Sequence, residues 1–107
     1  MRVVSEELFG PVTPITRFAS EEEALRLANA TPAGLAAFFY SRDLGRAFRF
    51  AERLECGMVG VNETGITADV APFGGVKESG LGREQSRHGI GEYLEMKTVA
   101  LGVGAGW

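Results

Sequence analysis

The sequence predicts an α/β fold: a small, largely parallel sheet with crossover helices. Three observations carry that prediction. The apolar period alternates between two and about 3.6 residues, in the order strand, helix, strand, helix, strand across residues 1–62. The stretches between successive strand segments are helical and roughly ten residues or longer, which suits right-handed parallel crossovers rather than hairpins. Residues 35–40 (Leu-Ala-Ala-Phe-Phe-Tyr) form an unbroken apolar run, as expected of a strand covered on both faces.

Each element has its own signature. Residues 12–18 alternate apolar and polar, the mark of a half-buried strand. Pro14 has no amide to donate, which puts that strand at an edge or Pro14 at its start. Ser20 followed three residues later by Glu23 is a capping-box pattern, and Glu21, Glu22 and Glu23 favour the positive end of the helix dipole. Ala24, Leu25, Leu27 and Ala28 supply that helix's buried side, and Thr31-Pro32 ends it. After the apolar strand, Ser41 or Asp43 can cap a second helix. Its Leu44, Ala47, Phe48, Ala51 and Leu54 recur at steps of three and four, with Arg46, Arg49, Glu52 and Arg53 around the rest. Gly57 suits the residue that closes this helix, and residues 58–62 read as a short buried strand. The regular pattern then stops over residues 63–83. So long an irregular stretch in a small domain is functional or disordered, and Ile66, Val70, Phe73, Val76 and Leu81 argue against disorder. Residues 84–95 read as a helix weakened by Gly89 and Gly91, residues 97–101 as a last strand, and residues 102–107 as a flexible tail.

Size and charge exclude several functions. A chain of 107 residues fits a single small domain, with too little interior for a cofactor domain and a substrate domain together. Its 11 basic side chains are scattered and outnumbered by 14 acidic ones, which argues against nucleic acid as a partner. No apolar run approaches the roughly 18 residues that span a bilayer. The N-terminus lacks a basic-then-apolar leader pattern, so the expected location is cytoplasmic. One cysteine and one histidine cannot make an intrachain disulfide or a four-ligand Cys/His metal shell.

Two stretches concentrate chemistry. Pro72-Phe73-Gly74-Gly75-Val76-Lys77-Glu78-Ser79-Gly80-Leu81-Gly82-Arg83-Glu84 holds four glycines in a tight path that lets other groups approach the backbone. The other is Glu6-Glu7-Leu8-Phe9-Gly10-Pro11-Val12. Together they resemble the C-terminal portion of the aldehyde dehydrogenase superfamily, over residues 3–101. Ala71-Pro72-Phe73-Gly74-Gly75 and Gly80-Leu81-Gly82-Arg83-Glu84 are most similar to the succinate-semialdehyde dehydrogenase branch. By that resemblance residues 1–107 are a single partial domain, the end of a catalytic domain plus its oligomerisation strand. Residues 63–83 correspond to an active-site-type loop and residues 84–101 to a helix and that strand.

The resemblance also implies roles. In a Glu-x-Phe-Gly-Pro motif the carboxylate meets the nicotinamide ribose hydroxyls and the aromatic ring meets the nicotinamide, which assigns NAD or NADP contacts to Glu7 and Phe9. A carboxylate accepting two hydroxyls is sensible chemistry, but an exposed acid beside a core phenylalanine would read the same in the sequence. Thr67 aligns with a serine that helps hold the substrate carboxylate, and a solvated loop threonine is the plain alternative. Phe73 is implied to be a core or tunnel-wall residue. Gly80-Leu81-Gly82 is not a dinucleotide fingerprint, because the third glycine is missing and no strand runs into it.

Cys56 ends a helix with no base nearby in sequence, and the family's nucleophilic cysteine belongs to a motif N-terminal to Glu7. Cys56 therefore reads as a small buried residue, and His88 as a helix-surface residue without a role. No residue here is implied to be catalytic, and no tight cofactor binding is expected of the chain alone. The expected function is a segment of an NAD(P)-dependent aldehyde dehydrogenase, inactive in isolation. The alternative is a non-catalytic assembly module or a truncated gene remnant. A homo-oligomer is expected through Lys97, Thr98, Val99, Ala100 and Leu101. Ala30 and Ala33 stand where relatives usually carry Asp and Tyr, a loss expected to weaken the turn between the first helix and the apolar strand.

Overall fold

In the computed structural model, which describes residues 2–104, the centre of the molecule is a strand–helix–strand unit with two parallel strands. The chain opens with the short helix α1 (Arg2–Ser5), tied by an Arg2–Glu6 ion pair one turn apart. Helix α2 (Glu21–Asn29) starts where the capping pattern predicts: Ser20 Oγ accepts from the Glu23 amide at 3.2 Å. Glu23 reaches back to the Ala19 amide at 2.9 Å, one residue earlier than the usual box, and so satisfies a second free donor.

Strand β1 (Ala36–Phe39) leads into helix α3 (Leu44–Arg53), which is capped by Asp43, whose Oδ1 accepts from the Arg46 amide at 2.7 Å. Strand β2 (Met58–Val61) returns parallel to β1, in the register Ala36 to Met58 through Phe39 to Val61. Backbone bonds extend the ladder at both ends, from the Gly57 amide to the Gly34 carbonyl and from Asn62 to Phe39. Beyond it, the Asn62 side chain accepts from the Ser41 amide at 2.8 Å and donates to the Ser41 carbonyl at 2.7 Å. Asn62 sits at φ 56, a left-handed conformation that asparagine tolerates better than most residues.

The predicted stripe on α3 is rotated. Leu44 and Phe48 are exposed, and Phe50 instead turns inward against Phe39, with ring centroids 5.3 Å apart. Ala47, Phe50, Ala51 and Leu54 also recur at steps of three and four, so the period alone does not choose between neighbouring faces. Strand β1 is likewise covered on one side only, since Phe38 and Tyr40 are exposed while Phe39 packs inward.

Three further expectations change. Residues 12–18 and 97–101, expected as strands, form no ladder with any described residue. A strand is made by its partner, and neither segment has one here. Residues 84–95 divide into helix α4 (Ser86–Gly89) and a single 3₁₀ turn (Ile90–Tyr93), as two glycines within six residues would favour. Gly57 does not close α3, which ends at Arg53 with Leu54 as its cap. It lies instead where a Cβ would come within 1.9 Å of the Gly74 carbonyl, so its role is close backbone packing. Of the expected tail, Ala105 to Trp107 lies outside the described residues.

The core is small. Leu25 and Met58 are its buried apolar side chains among the described residues. The accessible surface is 9270 Å², against about 5,800 Å² for a compact monomer of this size. The radius of gyration is 20.6 Å, where a globule of this length has about 13 Å. The single well-filled interior that the length suggests is therefore not reached, because most large apolar side chains before α2 and after the 3₁₀ turn stay exposed. No helix among the described residues is long and apolar enough to cross a membrane.

Candidate functional site

The glycine-rich segment 72–84 is a strap lashed across the turn between α2 and β1. The Val76 amide donates to the Gly34 carbonyl at 2.9 Å, the Glu78 amide to the Pro32 carbonyl at 3.0 Å, and the Gly34 amide to Ser79 Oγ at 2.9 Å. The strap's far end closes on itself where Phe73 and Glu84 exchange both backbone bonds, at 2.9 and 2.7 Å. Gly74 (φ 155) and Gly80 (φ 116) take backbone angles that side chains resist. Gly34 and Gly75 have no room for a Cβ, because backbone from the facing segment lies within 3.0 Å. The glycines are thus used for close approach, as expected of a path that lines something.

Two open clefts flank the strap. One, of about 600 Å³, is bounded by Phe73, the glycines at 74, 75, 80 and 82, Arg83 and Tyr93. The other, of about 930 Å³, is bounded by Glu6, Glu7, Leu8 and Val12 on one side and Thr31, Pro32 and Glu78 on the other. Leu35 and Ser79 line both, so they form the wall between them. The structure thus brings Glu7 and Phe73 to opposite sides of one partition. It does not bring Phe9 or Thr67 there. Phe9 is 96% exposed just past the cleft, at a tight turn in which the Gly10 amide donates to the Leu8 carbonyl at 2.9 Å. Thr67 stands exposed on the loop after β2, one residue past half-buried Ile66.

Several side chains that hold this region in place escaped the sequence reading. Lys77 Nζ donates to the Asn29 carbonyl at 2.9 Å and the Thr31 carbonyl at 3.2 Å, and pairs with Glu55 at 2.6 Å. Arg83 donates to the carbonyls of Gly75 and Gly82 at 2.6 and 2.8 Å, which fixes the strap's far limb. The Asn29 amide bridges to α3, donating to the Arg53 carbonyl and accepting from the Glu55 amide. These contacts hold the turn where Ala30 and Ala33 supply no polar side chain. Such long-range contacts leave no local pattern; only the charged and polar character of Lys77 and Arg83 amid glycines hinted at them.

Cys56 is half-buried, its thiol donates to the Met58 carbonyl at 3.2 Å, and burial pushes its pKa up. A thiol held protonated is a poor nucleophile, in keeping with a packing role. His88 is exposed on α4. No cluster of metal-binding side chains exists among the described residues.

The family profile described as the aldehyde dehydrogenase family matches residues 1–99. The chain belongs to the aldehyde dehydrogenase family. It is 62% identical over 102 residues to a 3-sulfolactaldehyde dehydrogenase of Pseudomonas putida, covering 95% of this chain and 21% of that protein. The crystal structure of a succinate-semialdehyde dehydrogenase from Burkholderia pseudomallei superposes with a TM-score of 0.82 at 63% identity, covering 87% of this chain and 19% of that one. A betaine aldehyde dehydrogenase from Staphylococcus aureus, solved in complex with NAD+, superposes with a TM-score of 0.86 at 45% identity, covering 91% of this chain and 20% of that one. The chain thus spans about a fifth of the length of these relatives. The α/β fold and the family resemblance expected from the sequence both hold.

Proposed function

We propose that this chain supplies one wall of the pocket in an NAD(P)-dependent aldehyde dehydrogenase that oxidises a small aldehyde with an anionic far end to a carboxylic acid. The observation that carries the reading is the pattern of identity. Two relatives above 60% identity are named for 3-sulfolactaldehyde and succinate semialdehyde, both with an acid group away from the aldehyde, while a relative named for cationic betaine aldehyde stands at 45%.

Glu7 has what the cofactor role asks: an exposed carboxylate on the rim of a cleft large enough for a ribose, with no cation paired to it among the described residues. It would accept hydrogen bonds from the nicotinamide ribose hydroxyls and so orient the ring. Phe9, with its ring free, would stand against the nicotinamide. The dinucleotide, when bound, takes up the hydride that leaves the aldehyde carbon. Thr67 would donate its hydroxyl to the substrate's anionic end, and Phe73 would form the apolar side of the substrate passage. None of these groups attacks the aldehyde or moves its proton, so the isolated chain is proposed to be inactive.

The test is a hybrid. Replacing the corresponding section of the Burkholderia pseudomallei relative with residues 3–101 of this chain should give an enzyme that forms NADH or NADPH from succinate semialdehyde. The chain alone should give none. A folded hybrid without turnover, or turnover by the chain alone, would overturn the reading.

A second reading is an assembly module, favoured by the exposure of Leu94, Met96, Val99 and Leu101 around the unladdered residues 97–101. In this reading Lys97, Thr98, Val99, Ala100 and Leu101 pair with a sheet edge of another copy.

A further inference from the structure

We propose that Lys77 is the positioning residue of the partition between the two clefts. Its ammonium grips the end of α2 and the α3–β2 connection, and so holds the strap against the α2–β1 turn. The inference deepens the reading above, since it says what fixes the wall between the proposed cofactor and substrate sides.

Three independent features converge on Lys77. Its backbone sits at φ 55, a conformation that a lysine adopts only when the surroundings impose it. Its side chain is the least exposed partner in any ion pair among the described residues, at 24%. The ammonium donates to the Asn29 and Thr31 carbonyls and is ion-paired with the Glu55 carboxylate. The two carbonyls lie at and just beyond the C-terminal end of α2, where the last-turn carbonyls lack helical partners and a cation is favoured. A compact ammonium head suits two carbonyls and a carboxylate gathered around one point, which a flat guanidinium fork does not match.

The consequence reaches the clefts through two neighbours. On either side of Lys77, the Val76 amide reaches the Gly34 carbonyl and the Glu78 amide reaches the Pro32 carbonyl. Two residues on, Ser79 Oγ receives the Gly34 amide. Leu35 and Ser79, the residues common to both clefts, are therefore set by the register that Lys77 locks. Lys77 itself lines neither cleft, so its effect is on placement and not on contact.

Amide hydrogen exchange on the full chain tests this without cofactor or aldehyde. Failure of the hybrid enzyme would therefore leave it standing, and its own failure would leave the proposed function standing. In Lys77→Met, the amides of Gly34, Val76 and Glu78 should exchange at least about tenfold faster, while the ladder amides of Met58 and Asn62 stay within about twofold of the unaltered chain. Lys77→Gly, which removes the backbone strain along with the ammonium, should behave as Lys77→Met. In a Cys56→Ser background, Lys77→Cys should lose strap protection and regain it when alkylated with 2-bromoethylamine, which rebuilds an ammonium on a stem of lysine length. Full strap protection in Lys77→Met would overturn the proposal. So would equal loss from strap and ladder, protection regained in Lys77→Gly, no recovery on aminoethylation, or strap amides already unprotected in the unaltered chain.

Discussion

Gly57 and Gly80 show how differently two glycines of one loop system are used. A methyl at Gly57 would meet the Gly74 carbonyl oxygen at 1.9 Å, so one of two packed backbones must move. Gly57→Ala should cost about 3 kcal/mol or more, in the range of severe overpacking. At Gly80 a methyl meets nothing within 4 Å, but φ is 116. Gly80→Ala should cost only the conformational penalty, about 1–2 kcal/mol. Urea midpoints for the two variants would separate close approach from backbone angle, and equal losses would contradict the distinction. At this scale the sequence was informative wherever the partner is a few residues away. Ser20 and Asp43 announce their caps because the amides they satisfy lie three residues on. The partners of Gly57, Lys77 and Arg83 arrive from other segments or depend on how the strap folds, and no spacing rule points to them.

Helices α2 and α3 are joined face to face by charge. Arg46 and Arg49 reach Glu21, at 2.5 and 3.3 Å, and Arg53 makes a two-pronged pair with Glu22 at 2.6 Å on each prong. The hydrogen bond from Arg46 holds the Glu21 carboxyl below its ordinary pKa, and that from Arg53 does the same for Glu22. Asp43 is lowered chiefly by the Arg46 backbone amide it caps. A carboxylate with a lowered folded pKa adds stability that is fully present above its unfolded value, about 4.3 for Glu and 3.9 for Asp. That stability drains away as pH falls through the lowered folded values. The helix pair should therefore loosen on acidification from about pH 5 downward, read as faster amide exchange in α2 and α3 than in the β1–β2 ladder. Because these pairs are exposed, the effect should be modest and should shrink with added salt. A pair of helices indifferent to pH across that window would contradict the assignment. The elements themselves were legible to different degrees. The two longer helices and both strands of the ladder follow from period and caps. The inward face of α3 did not, since stripes through Phe48 and through Phe50 both fit helical spacing. Residues 12–18 and 97–101 have strand composition, but composition cannot supply the edge that a strand must pair with.

The whole molecule is mostly surface. Accessible area more than half as large again as a compact chain of this size would show means that many of its large apolar residues, among them Phe9, Ile15, Leu81, Met96 and Leu101, have no cover. Apolar surface on that scale marks an interaction face. In solution the isolated chain should therefore associate. Light scattering at high micromolar concentration should show species larger than one chain, reduced by Val99→Lys and Leu101→Lys together. A stable monomer would remove the assembly reading. The family and the α/β class were readable at this scale because the motifs at 6–12 and 71–84 are dense and specific. The size of the interior was not, because chain length says how much core a sequence could form and not how much it closes alone.

Contact of Glu7 and Phe9 with the dinucleotide, as proposed above, is open to direct measurement through binding of NAD+ to the hybrid enzyme. Glu7→Gln weakens charge-assisted hydrogen bonds, so the Kd for NAD+ should rise about ten- to a hundredfold, with the KM for succinate semialdehyde nearly unchanged. An unaltered Kd for NAD+ in a folded, active Glu7→Gln hybrid would contradict the account.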